Sequence, residues 1–126
     1  MAASHSDNIA LFNNKLLDFV DDLGCVIGHV PEYKLIATSA KFMAQFQEAQ
    51  NQSVFDRYVA RPYGALIRDK DEAFLMDEKY TDASGGVVAL LKGVWGTLAA
   101  EDKESIWAHL HVLLVLNERC GPVPGR

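Results

Sequence analysis

Residues 87–117, VVALLKGVWGTLAAEDKESIWAHLHVLLVLN, constrain the fold more than any other stretch of this chain. They read as two helices joined by a short polar elbow, each with one tryptophan. Val88, Leu91, Trp95 and Leu98, flanked by Val87 and Val94, fall on one face at about 100° per residue. Glu101, Asp102 and Glu104 place negative charge in the first turn of the next helix, where the helix dipole favours it. From Ile106 to Leu116 apolar side chains cover almost the whole circumference. A helix that is apolar all round belongs at the centre of a fold. Arg119 suits its C-terminus, and Gly121 with Pro122 stops it.

The upstream chain supplies what surrounds that helix. Residues 1–6 are small and polar and read as a tail, as does the Pro/Gly-rich stretch 121–126. Ser6 or Asp7 can cap a first helix, in which Ile9, Phe12, Leu16, Phe19, Leu23 and Ile27 recur at three- and four-residue steps. Gly28 ends it, and Pro31 suits the first turn of a second helix. That helix points Tyr33, Ile36, Ala40, Met43 and Phe46 or Ala44 inward and fades in the polar run 47–52. Ser53 can cap a short third helix. Pro62 should kink or break the chain near Arg61, because its ring clashes with the carbonyl four residues back. Ala65, Leu66 and Ile67 lie on the helix that restarts there, and Ala73–Met76 forms one more turn. TDASGG, residues 81–86, is the clearest loop. No segment alternates with a period of two. The expected fold is all-α: a compact single-domain bundle, residues 7–120, of five to seven helices around a buried C-terminal helix.

Length and composition agree with one domain. The 126 residues are 49% hydrophobic and 23% charged. A chain of this size buries a sizeable core without crosslinks. The net charge of -5 argues against nucleic-acid binding, which leaves a basic footprint. The longest unbroken apolar runs, such as Val112–Leu116, fall far short of the roughly 20 residues that span a bilayer. The start, MAASHSDN, lacks the features of a secretory signal, and Ala2 is incompatible with myristoylation. Cys25 and Cys120 fit no disulfide framework or zinc motif and read as reduced thiols. A soluble intracellular protein is expected.

Several residues invite a chemical reading. His109 and His111 stand two apart on one helix, so they point about 200° from each other and cannot chelate one ion together. Hydrogen bonds to neighbouring helices explain them better. Cys25 and His29 would make half a zinc site, with no second half. The run Asp69-Lys70-Asp71-Glu72 lacks the glycine and glutamate that a calcium loop needs at its sixth and twelfth positions. Asp18, Asp21 and Asp22 lie opposite the apolar stripe of the first helix and read as a solvated face. Arg57, Arg61 and Arg68 could form a basic patch, although such arginines more often pair with local carboxylates. No nucleotide-binding, hydrolase or metalloprotease motif occurs. No catalytic residue, cofactor or metal site is therefore expected. The least routine feature is the glycine pair of KGVWGTL. Each glycine within a helix costs about 1 kcal/mol relative to alanine. Ala89, Gly93 and Gly96 lie opposite Trp95 and make a smooth face that would let a partner helix approach closely.

Three stretches together carry a likeness: residues 12–23, 57–76 and 90–116, about half the chain. Within them the set Trp95, Leu98, Lys103, Glu104, Ile106, Trp107 and Leu110 is the most specific. Their order and spacing resemble a family of small helical proteins encoded by nucleocytoplasmic large DNA viruses. The resemblance implies a viral origin and a soluble helical protein acting in the host cytoplasm or inside a virion. It implies no activity or site.

The functional expectation is a non-enzymatic protein that works by protein–protein contact, with an unidentified protein partner or a homo-oligomer, as a minor, capsid-associated virion component. One alternative is a host-directed regulator whose apolar groove takes a partner's amphipathic helix. Another is an enzyme whose site would show as a concave pocket with converging polar groups.

Overall fold

In a computed structural model of the chain, residues 5–76 and 87–120 are described. Among them the all-α expectation holds. The helices are α1 (His5–Ile27), α2 (Pro31–Phe46), α3 (Glu48–Phe55), α4 (Arg61–Arg68), α5 (Ala73–Met76), α6 (Val87–Val94) and α7 (Ala100–Cys120). A π-helical turn, Asp56–Ala60, joins α3 to α4, and a 3-10 turn, Trp95–Thr97, follows α6. His5 and Ser6, expected in a tail, already belong to α1. The loop expected at 81–86 and the tail at 121–126 lie outside the described residues.

The first and last helices form the axis of the fold. They run antiparallel: Asn8 Nδ2 donates to the Arg119 carbonyl at 3.1 Å, and His109 Nε2 meets Asp22 Oδ2 at 2.6 Å. The stripe read from α1 is the one buried, through Ile9, Phe12, Phe19, Leu23 and Ile27. It meets Ile106, Leu110, Leu113 and Leu114 in one core with Phe55, Ile67, Leu75 and Leu91. Phe12 and Phe55 pack edge to face with centroids 5.3 Å apart, and Trp95 and Trp107 do the same at 5.2 Å. Such pairs add about 0.5–1.5 kcal/mol beyond the area they bury. Helix α7 is less completely covered than its circumference suggested, because Val112 and Val115 face outward.

Two upstream expectations change. The polar run 47–52 is not a fading end of α2. Gln47 turns the chain, and α3 begins at Glu48, so Ser53 lies inside α3 and caps nothing. Buried Asn51 and Gln52 hold α3 in place. Asn51 Nδ2 reaches the Ala40 carbonyl at 2.9 Å and Asn13 Oδ1 at 3.2 Å, and Gln52 Nε2 reaches Asn117 Oδ1 at 2.6 Å. Buried polar groups are tolerated when bonded in this way.

Of the kink or break expected near Arg61 from Pro62, the break does not occur: α4 restarts at Arg61 directly from the π turn. Arg61 keeps helical backbone angles (φ -68°, ψ -52°), and its N–H donates to the Asp56 carbonyl in a π-type turn. The wider turn moves the Tyr58 carbonyl, four residues back, away from the proline ring that would otherwise strike it. Asp56, at the head of this turn, accepts from Asn117 Nδ2 at 3.0 Å and from Arg61 Nε at 2.9 Å. Both cysteines are free thiols, with Cys25 exposed and Cys120 buried. Burial pushes the Cys120 thiol above its ordinary pKa.

Candidate functional site

An apolar groove opens on the side of the molecule away from α7. Its floor is α1, through Leu16, Phe19, Val20 and Leu23. One wall is α2, through Tyr33, Leu35, Ile36, Ser39, Ala40 and Met43. The other is α3 and the π turn, through Val54, Phe55, Tyr58 and Val59, with Leu90 of α6 at the base. Its volume is about 480 Å³. That falls within the roughly 300–1,000 Å³ of sites that take compact ligands or a few anchoring side chains.

The sequence explains why the groove stays open. Helix α2 leans on α1 through two alanines, Ala37 and Ala40, which with Val20 make a small separate core. Small residues bring the backbones close, and the larger side chains of α2 then project beyond the contact. Tyr33 fixes the angle. Its hydroxyl donates to the Val20 carbonyl at 2.7 Å, across the face of Gly24. Burial, then the Asp21 carboxylate, then Cys25, hold the Tyr33 phenol above its ordinary pKa. A β-carbon at position 24 would lie 2.5 Å from the Tyr33 hydroxyl oxygen. Gly24→Ala should therefore destabilise the protein by about 1–2 kcal/mol, although alanine in an unobstructed helix gains roughly 1 kcal/mol over glycine. Urea denaturation gives the sign, and a stabilised variant would show that Tyr33 yields freely.

Two polar side chains of the groove, Tyr33 and Asn51, are engaged in holding its walls. The Tyr33 hydroxyl and the Asn51 amide both bond to backbone carbonyls. The lining is otherwise almost wholly aliphatic and aromatic. What the groove offers a ligand is shape and apolar surface.

Of the two candidates for the last inward position of α2, Ala44 is half-buried and Phe46 points out at 65% exposure. With Leu35 at 73% and Phe42 at 53% it forms an exposed row along α2, beside the groove mouth. The rings of Phe42 and Phe46 lie 5.0 Å apart. At 100° per residue these three positions fall within about 40° of each other on the helix.

The residues singled out from the sequence are dispersed. Gly93 and Gly96 are exposed and Ala89 is half-buried. A β-carbon at Gly93 would meet nothing within 4 Å, and one at Gly96 would meet only Met76 Cε at 3.9 Å. Packing within the described residues therefore does not explain the glycine at 93. His109 bonds to Asp22 and His111 to the Ile67 carbonyl at 2.7 Å, so each ties α7 to a different helix. Asp18, Asp21 and Asp22 are all exposed, as their place opposite the apolar stripe suggests; Asp22 also meets His109, and Asp21 lies 3.8 Å from Lys41. Arg61 pairs with Asp56, and Arg68 pairs with Glu118. Asp71 caps the Ala73 N–H at 3.0 Å. Among the described residues no group of three or more His, Cys, Asp or Glu could hold a metal, and no helix is long and apolar enough to cross a membrane.

Among the described residues, fold and groove together define an all-α protein with an apolar, helix-walled cleft and an exposed aromatic row beside it. Compared with models of known protein families, with curated proteins and with solved structures, this chain matches none.

Proposed function

We propose that this is a non-enzymatic protein-binding module whose groove receives the apolar face of an amphipathic helix. The observation that carries the reading is the open groove of about 480 Å³ between α2 and the α3–π-turn wall. A helix docks in such a groove through anchors spaced i, i+3 or i+4, and i+7. The half-exposed Val54 and Tyr58 on one rim and Leu35 on the other are placed to flank those anchors. The mainly apolar lining, in which Tyr33 and Asn51 are bonded into the walls, supports a binding role. The likeness of the Trp95–Leu110 set to proteins of large DNA viruses supports a place in a virion or in the host cytoplasm, as a capsid-associated component or a host-directed regulator.

The test is a titration of isotopically labelled protein with a generic amphipathic helical peptide carrying leucines at those spacings, followed by two-dimensional NMR. Saturable shifts are expected at Ile36, Ser39, Met43, Val54 and Tyr58, in the micromolar range. Val54→Arg, which places a charge on the rim, should abolish them. Shifts that never saturate, or that spread evenly over the surface, would defeat the reading.

A further inference from the structure

We infer that the occupant of the groove is a second copy of this chain, and that two copies associate through their α2 helices about a two-fold axis. The inference rests on the groove reading above and names its partner. A groove needs a ridge, and this molecule carries one directly beside it: Leu35, Phe42 and Phe46 on the outer side of α2. A closed two-fold interface must be self-complementary, with the same patch on both subunits. A ridge and a groove adjoining on one helix meet that condition, because each copy offers what the other lacks. A foreign helix lying in the groove would leave Phe42 and Phe46 in water, whereas a second copy covers groove and ridge together.

The available area agrees. Leu35, Phe42 and Phe46 with Val54 at 37% and Tyr58 at 42% exposure make a patch around the groove mouth. With aromatic side chains near 200 Å² each, the patch exposes on the order of 500 Å² of apolar surface. A standard interface buries about 800 Å² per partner, of which roughly three-fifths is apolar. The patch thus supplies about the apolar share of one side of a stable dimer.

Charge points the same way. Interface centres are depleted in charged side chains. Between Leu35 and Phe46 the only charged residue of α2 is Lys41. By helical angle Lys34 and Lys41 lie about 100–120° round α2 from Leu35, on its flank and not on the ridge, and Lys41 is 3.8 Å from Asp21 of α1. Small Thr38 and Ser39 sit at the centre of the ridge and permit close approach. An antiparallel crossing there sets Leu35 of each copy against Phe42 of the other.

Sedimentation equilibrium of the full chain across the micromolar range tests this. A monomer–dimer equilibrium is expected for the wild type. Phe42→Glu with Phe46→Glu, which removes the ridge, should give a monomer with an unchanged far-ultraviolet circular dichroism spectrum. Val54→Arg, which blocks the groove, should do the same, and Phe46→Ala should raise the dissociation constant about tenfold or more. A wild-type monomer throughout, a dimer that none of these changes weakens, or an open series beyond the dimer would each overturn the inference. The helical peptide, titrated into the ridge-less variant, separates the two readings. A wild-type monomer whose variant still takes the peptide removes the second copy alone. A monomer whose groove takes no peptide removes both.

Discussion

Trp95→Ala is expected to destabilise the protein by about 3–5 kcal/mol, the range for truncating a fully buried aromatic. Trp95 is 0% exposed and packs edge to face on Trp107. Its indole N–H donates to Glu72 Oε2 at 2.8 Å, and Lys103 Nζ stands 5.5 Å from the ring. Three effects therefore act in the same direction: lost transfer energy, a cavity beside Trp107, and loss of the cross-link between the 3-10 turn and the approach to α5. Most small domains have only about 5–15 kcal/mol of stability, so this one change consumes a large part of it. Urea denaturation followed by Trp107 fluorescence gives the midpoint shift. Trp95→Phe should retain most of the packing, lose only the Glu72 bond, and fall well short of the alanine effect. Equal losses for the two would place the energy in the hydrogen bond rather than the core.

Asn117→Leu should cost about 2–4 kcal/mol, although leucine is similar in size and apolar. Asn117 is the hub of a buried polar chain. Its Oδ1 accepts from Gln52 Nε2 at 2.6 Å, and its Nδ2 donates to Asp56 Oδ1 at 3.0 Å. Replacing it leaves the Gln52 amide without this acceptor and Asp56 without one donor, in a buried setting where each loss costs about 1–3 kcal/mol. Asp56 keeps its pairing with the half-exposed Arg61, which limits the damage. Combining Asn117→Leu with Gln52→Leu should recover part of the loss, because the second change removes the donor stranded by the first. A double variant as unstable as the sum of the two would show that the residues are not coupled.

The sequence exposed the parts of this fold that depend on neighbours along the chain. The α1 stripe was legible because Ile9, Phe12, Phe19 and Leu23 keep helical spacing, and Trp95 and Trp107 because large apolar rings seek burial. It hid what depends on distant partners. Nothing local marks Asn51 and Gln52 as buried; their partners Asn13 and Asn117 lie 38 and 65 residues away. The π turn was hidden too, since Pro62 reads as a stop unless the turn before it is known to widen. The groove was half legible. Leu16, Phe19, Leu23, Tyr33, Ile36, Ala40 and Met43 read as inward positions, but Leu35, Ser39 and Asn51 do not, and which of them stay uncovered depends on how far α2 stands from the π turn. Helical spacing admits either Phe46 or Ala44 as the last inward position of α2; the fold half-buries Ala44 and leaves Phe46 exposed. Of the small-residue set Ala89, Gly93 and Gly96, the last lies in the 3-10 turn beyond α6; the stronger apolar features lie on α2.

The antiparallel pairing of α1 with α7 bears on how the chain is made. The contacts that join them link residues 87 and 111 positions apart. Bringing such distant segments together costs loop-closure entropy before any contact repays it. On a ribosome, α1 emerges long before its main partner exists. Until α7 is released, the Phe12 and Phe19 side of α1 has only the intervening helices to shelter it. Vectorial synthesis therefore leaves a sticky intermediate whose lifetime is set by translation of the last third of the chain, the period in which a holding chaperone would matter most to this protein.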